Sequence, residues 1–225
     1  MDRMERGLSE KLSQDILDYI VRNKMKEGEK IPNEYELAAM LGVGRSSIRE
    51  AVKLLVSRNI LEVRQGAGTF VSPKKGIADD PLGFSLIPDK RRLARDLMDV
   101  RILLEPQIAS FAAQNASEKE RHTVMRLCQE TEDSIRAGEP HLAKDIEFHT
   151  CIAYSSRNLV VPQLLPVLQK AIEIFIDVTN SSLLQETIAT HREIAEAIWQ
   201  RDPTAAHDAM YLHLIYNRRQ IKKVP

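Results

Sequence analysis

Apolar positions in the first sixty residues recur at helical spacing in three groups: Leu12, Ile16, Leu17, Ile20 and Val21; Leu37, Ala38 and Leu41; then Ile48, Ala51, Val52, Leu54, Leu55 and Val56. This period predicts three amphipathic helices, one from Leu8 to about Met25 with Ser9 as its N-cap, one from Glu34 to Leu41, and one from Arg45. Gly42-Val43-Gly44 separates the second from the third. The pattern then shortens: Ile60-Leu61-Glu62-Val63-Arg64 and Thr69-Phe70-Val71 flank Gln65-Gly66-Ala67-Gly68, which predicts a hairpin. Two short helices on a tight turn, followed at once by a hairpin, make a winged helix-turn-helix. Arg45, Ser46 and Arg49 fall off the buried stripe of the third helix and face water.

Ser72-Pro73-Lys74-Lys75-Gly76 interrupts the pattern, and a linker is placed at residues 73–80 between a domain at 1–72 and a second at 81–225. Asp79-Asp80-Pro81 has helix-start chemistry. Beyond it the apolar spacing is helical almost to the end, predicting a short helix near Pro81–Leu86 and long ones near 90–114, 118–137, 139–155, 159–179, 182–200 and 203–222. Ser117, Gly138, Asn158, Ser181-Ser182 and Asp202-Pro203 supply the caps and breaks. Pro162 and Pro166 leave two options for the fourth long helix, a start near Pro162 or a kink at Pro166. The expected fold class is mainly α: a winged helix-turn-helix followed by an all-α antiparallel helical bundle.

Charge adds little by amount and more by position. The chain of 225 residues carries 32 basic and 32 acidic side chains, with 14 basic against 11 acidic in residues 1–75. So mild an excess would not by itself suggest nucleic acid, and the case rests on where Arg45, Arg49, Lys53, Arg58 and Arg64 lie. No apolar run is long enough to span a bilayer and the amino terminus has no charged-then-apolar leader, so a cytoplasmic protein without membrane contact is expected. Cys128 and Cys151 form neither a Cys-x-x-Cys motif nor a disulfide framework, and read as small apolar helix residues.

The bundle's chemistry lies in polar residues on apolar helices. Asp145 and His149 are four apart, about 40° around a helix, so both can reach one point. His191 lies beside Ile188, Ile194, Ala195 and Ile198, and His213 sits between Leu212 and Leu214. One carboxylate and three imidazoles suit zinc, and also nickel or manganese, with coordination positions left open. A single histidine on an apolar face is more often a satisfied core residue, so the set becomes a site only if its helices converge. Arg101 shares a helix with Leu97, Leu104 and Ile108, and its partner is either Glu105 or the carboxylate of a ligand. His122, His141 and His207 have polar neighbours and are expected on solvated faces. Glu147 points some 200° away from Asp145, and no His-Glu-x-x-His motif supplies a hydrolytic base.

Several separated motifs carry a resemblance. Gly28 to Glu34, Glu36-Leu37-Ala38, Leu41 to Arg45, Ile48 to Ala51 and Gly66 to Val71 resemble the amino-terminal domain of GntR-family bacterial transcription regulators. The chain departs at four points. Tyr35 stands where the FadR branch often has a base-contacting arginine, Gly44 replaces the usual serine at the recognition helix N-cap, Asn59 replaces a glycine after that helix, and Gln65 occupies a wing-tip position that is histidine in the best-known member. The second domain resembles the FCD domain of the FadR branch: Asp145, His149, His191 and His213 meet its Asp-x-x-x-His plus two-histidine pattern, and Arg101 to Glu105 its Arg-x-x-x-Glu element. The fatty-acyl-responsive founder lacks the metal set, so the resemblance argues against an acyl-CoA sensor.

The resemblance implies a homodimeric transcription regulator acting as a repressor on a palindromic operator. Arg45, Ser46, Ser47 and Arg49 would meet the major groove, with Gln65 and Gly66 at the wing. It also implies a small organic acid, a sugar acid or hydroxy acid, bound at a zinc, nickel or manganese site and met by Arg101. Two other readings stay open, a direct metal sensor and a metalloenzyme fused to a DNA-targeting domain; the second lacks a general base.

Overall fold

The computed structural model describes residues 3–74, 76–78, 80–179 and 184–221. The chain divides into two compact units, Met1–Asp79 and Asp80–Pro225, each with its own apolar core. The proposed starts at Asp79 and at Ser181-Ser182, and the expected helix end at 222, lie outside the described residues.

In the first unit α1 (Arg3–Arg22), α2 (Glu34–Leu41) and α3 (Arg45–Ser57) surround Leu12, Ile16, Ile31, Leu37, Ile48 and Leu55. α1 starts earlier than the spacing predicted, and Ser9 lies buried within it rather than at its N-cap. Only Gly7 weakens the segment upstream, and one helical glycine costs about 1 kcal/mol, too little to stop a helix. Val21, counted on the apolar stripe, is exposed. α2 begins on a complete capping box: Asn33 Oδ1 accepts from the amides of Tyr35 and Glu36, and Glu36 Oε2 accepts from the Asn33 amide. Gly42 closes it in the left-handed conformation. Gly44 is the N-cap of α3, and Asn59 after the helix has φ +55°, the left-handed backbone that asparagine tolerates.

The wing pairs β1 (Leu61–Arg64) with β2 (Gly68–Val71) antiparallel, Leu61 opposite Val71 and Arg64 opposite Gly68. Gly28 to Ile31 runs along the other side of β2: the Ile31 amide donates to Thr69 O, and Val71 and Gly28 to Glu29 O and Val71 O respectively. Spacing alone did not reveal this third segment, which is too short for a period to register.

The second unit is helical throughout its described residues. Asp80 accepts from the amides of Phe84 and Ser85 and from the Ser85 hydroxyl, holding a single 3-10 turn at Phe84–Leu86 where a short helix was expected. Then follow α4 (Lys90–Asn115), α5 (Glu118–Ala137), α6 (Leu142–Ser155), α7 (Leu165–Thr179), α8 (Leu184–Trp199) and α9 (Pro203–Ile221). α9 packs mainly on α4 and α8, and α6 on α4, α5 and α7, around Met98, Phe148, Ile152, Ile194, Ile198 and Leu214. The fourth long helix is divided: a 3-10 turn covers Val161–Leu164, and α7 starts at Leu165. Pro166 therefore sits in a first turn, where its missing N–H costs nothing, and neither a start at Pro162 nor a kink is needed. Pro106 lies inside α4, directly after Glu105, and the helix continues through it. No helix among the described residues is long and apolar enough to cross a membrane.

Candidate nucleic-acid interface and metal centre

The first turn of α3 exposes Arg45 and Ser46, with Ser47 half-buried behind them. Gly44 brings no side-chain acceptor to the first amides of α3, so they remain available, with the positive end of the helix dipole, to an anion such as a phosphate. Arg49 is not free. Its guanidinium is forked onto Glu34 of α2, with Nη2 2.8 Å from Oε2 and Nε 3.1 Å from Oε1. The hydrogen bond from Arg49 lowers the Glu34 carboxyl and raises the guanidinium in turn. Gln65 and Gly66 are exposed at the wing tip, while Arg64 behind them lies over the Phe70 ring at 4.2 Å and pairs with Glu62. Tyr35 is exposed on the same unit.

In the bundle the helices do converge. His149 of α6, His191 of α8 and His213 of α9 are all buried, and one ligand atom from each lies within 4.8 Å of the others. His191 stacks on Phe148 at 4.4 Å between ring centroids, which fixes its ring plane. Both of its nitrogens lack a hydrogen-bond partner at 1% exposure. Buried polar atoms are rarely left so without an unseen partner, and a ring in this state is what a metal would satisfy. Asp145 lies near but outside the common radius, its Oδ1 3.4 Å from His191 Nε2. The residues present fit a divalent ion with nitrogen preference, the three imidazoles as first donors and Asp145 alongside.

The surroundings of His191 and His213 favour neutral rings. Burial, and then the nearby His149 and Arg101, hold the His191 imidazole well below its ordinary value. Burial, then His191 and His149, do the same for His213. Neutral imidazole is the ligating form. Glu105 is the carboxylate sequence reasoning placed only as a partner for Arg101. It contacts both that arginine and the triad: Arg101 Nε is 2.5 Å from Oε1, and Oε2 is 2.7 Å from His149 Nδ1. Burial pushes its carboxyl up, but Arg101 and His149 outweigh burial and leave it well below the usual range. Arg101 Nη2 in turn lies 3.4 Å from His149 Nε2. Of the two partners open to Arg101, the chain itself supplies one.

His141 corrects an expectation. Placed on a solvated face with His122 and His207, it is buried at the N-cap of α6 and lies close enough to oppose the charging of His191. Its polar sequence neighbours gave no sign of this. His122 is exposed and His207 half-buried. Behind His191, Arg192 is forked onto the buried Glu132 of α5 at 2.7 and 2.6 Å, joined there by Arg136. This clamp ties α8 to α5. Cys128 is buried and its thiol pushed up to about 11, while Cys151 is half-buried.

A narrow cleft lies beside His149, lined by Glu105, Thr150, Gln169 and the apolar Ile108, Leu168, Ile172 and Met210. Its volume of about 10 Å³ is room for one water.

Residues 8–71 match the family of bacterial regulatory proteins described as gntR, and residues 96–215 match the FCD domain. The chain belongs to the GntR family of transcription regulators. Its FCD domain follows the winged helix in the order expected. The regulator is similar to a solved structure titled Streptococcus agalactiae GntR, at 45% identity and a TM-score of 0.85 over 94% of this chain and 99% of that one. It is 29% identical to the putative L-lactate dehydrogenase operon regulatory protein of Escherichia coli K12, covering 98% of this chain and 88% of the relative. It is 27% identical to the galactonate operon transcriptional repressor of the same organism, covering 91% and 93%. This membership removes the ground for the metalloenzyme reading.

Proposed function

We propose that this GntR regulator is a homodimeric, cytoplasmic repressor whose operator affinity is set by a small carboxylate at a zinc-type site in the FCD domain. One observation carries the reading: three buried imidazoles from three helices face one another, and His191 has neither nitrogen satisfied. A divalent ion held there, with nickel or manganese as alternatives to zinc, offers open positions to a carboxylate or hydroxyl. Arg101 stands beside it as the cationic fork suited to a carboxylate, at present shared with Glu105. The names of two relatives, attached to L-lactate and galactonate operons, support a hydroxy acid or sugar acid. At the other end Arg45, Ser46, Ser47 and Arg49 are presented to the major groove, and Gln65 and Gly66 to the adjacent backbone. A palindromic operator calls for two such faces at fixed spacing, and the helical domain is the natural dimer-forming part.

A second reading is favoured by the size of the cleft. A cleft with room for a single water must widen before any acid enters, whereas an ion alone would need no such opening. Band-shift titration on an operator selected from random duplexes separates the two. Zinc-loaded protein should bind tightly, and one acid from a panel of L-lactate, D-galactonate and related hydroxy acids should change its affinity roughly fivefold or more. Chelated protein and His191→Ala should not respond to the acid. An acid response surviving both changes would refute the metal-site reading. A response to zinc alone, with none to any acid, would make the ion the signal.

A further inference from the structure

Asn217 of α9 lies four residues after His213, on the same face of the helix, and the residue is 5% exposed. Its Nδ2 is 3.1 Å from His213 Nε2. The protonation of that ring can be assigned from its other side. Thr190 Oγ1 is 2.9 Å from His213 Nδ1, and the single hydroxyl proton of Thr190 is directed at Glu186 O, 2.7 Å away. Thr190 Oγ1 is therefore left to accept, His213 Nδ1 carries the proton, and Nε2 has the lone pair. Asn217 must be donating its amide N–H to Nε2.

That lone pair is the one through which His213 could hold a metal ion. Once it is given to the ion, the Asn217 amide loses its acceptor while remaining buried, and a buried donor requires another. We propose that Asn217 is the recognition residue for the exogenous acid at this site: its N–H donates to a carboxylate oxygen or hydroxyl seated beside the triad, in place of His213 Nε2. This rests on the carboxylate reading given above. It differs from the role of Arg101, because a carboxamide donates to a hydroxyl as well as to a carboxylate and can also accept from the hydroxyl through its own oxygen. Asn217 would then favour 2-hydroxy acids over plain carboxylates of the same size.

Two measurements on the full chain test it: zinc affinity by competition with a chromogenic chelator, and thermal midpoint of the zinc-loaded protein titrated with L-lactate, D-galactonate and propionate. Asn217→Asp keeps the shape and replaces the donor by a carboxylate, which repels an anion. Asn217→Leu removes all polarity. Both variants should hold zinc within about threefold of wild type, or more tightly since the competing N–H is gone, and both should bind the hydroxy acid tenfold to a hundredfold more weakly, the range for one buried hydrogen bond. Wild type should prefer the hydroxy acids to propionate, and Asn217→Leu should lose the preference. Unchanged hydroxy-acid affinity in Asn217→Asp would overturn the proposal, as would a loss of zinc affinity parallel to the loss of acid. If no acid shifts the wild-type midpoint, the carboxylate reading itself falls, and the assignment of Asn217 with it.

Discussion

Two arginine–glutamate forks occupy the two halves of this regulator, nearly alike in bond geometry and opposite in setting. Arg49 and Glu34 join α3 to α2 with side chains 59% and 37% exposed. Arg101 and Glu105 sit a turn apart on α4 at 1% and 5%. Water screens the first pair, so opening it costs little and Arg49 can exchange Glu34 for a base edge. The second pair has no water to fall back on: Arg101 depends on Glu105, and Glu105 on Arg101 together with His149. In the function proposed above, the exposed fork would keep Arg49 extended until it meets a base edge. The buried fork commits its arginine to whatever carboxylate is nearest, and a ligand acid can recruit it only by matching Glu105.

The buried pair gives the largest expected effect. Glu105→Ala strands a guanidinium in the core and should destabilise the protein by about 3–5 kcal/mol in urea unfolding, whereas Arg101→Met with Glu105→Leu should recover most of that loss and fall short of wild type because the buried His149 Nδ1 loses its carboxylate. A single variant as stable as the double would break the contrast between the two forks.

Next comes acid sensitivity in metal-free protein. His191 and His213 are held neutral below their ordinary value by burial. From about pH 6.5 downward the unfolded chain takes up protons that the folded chain refuses, so stability should fall with pH by up to about 1.4 kcal/mol per unit for each ring. Above about pH 7 these rings should contribute no slope. Unfolding midpoints in chelator at pH 7.5, 6.5 and 5.5 check it, and a flat profile would mean the rings are not buried as described.

The exposed fork should show little in stability and much in recognition. Arg49→Ala should leave the melting temperature unchanged and weaken the selected operator roughly tenfold to a hundredfold, with random duplex much less affected. Glu34→Gln should keep most of the affinity, since it frees rather than removes the arginine. Equal losses on operator and random DNA would reduce Arg49 to a phosphate contact. Smallest is Gly44→Ser. The glycine has φ −71°, and an added Cβ would meet Ser46 Oγ at an ordinary 3.7 Å. A serine there should cap α3 and raise stability by a few tenths of a kcal/mol in the same urea assay.

Local signals carried most of the fold into the sequence. Gly42, Gly44 and Asn59 mark turns whose backbone needs them, Asn33 and Glu36 write out a cap, and the stripe through Ile48, Val52 and Leu55 faces the core. Misplaced elements were those where nothing local decides: α1 runs upstream of Ser9 because only Gly7 resists, and Asn158 turns the chain before Pro162 into a 3-10 start. His149, His191 and His213 were legible singly, but their convergence belongs to the packing of α6, α8 and α9. Glu105, Thr190, Asn217 and the burial of His141 were harder still. Each matters through a neighbour 23 or more positions away, as Thr190 does for His213, or through an i to i+4 contact that thousands of helices share without consequence, as Asn217 does.

The short segment at Gly28–Ile31 also governs how the regulator behaves in a crowded cell. By bonding along β2 it closes one side of a hairpin that would be only marginally stable alone. That leaves β1 as the border of the hairpin itself, and β1 carries Glu62 and Arg64, charges that discourage a second strand from docking there. The wing proposed to meet DNA is in this way made less able to pair with other copies of itself.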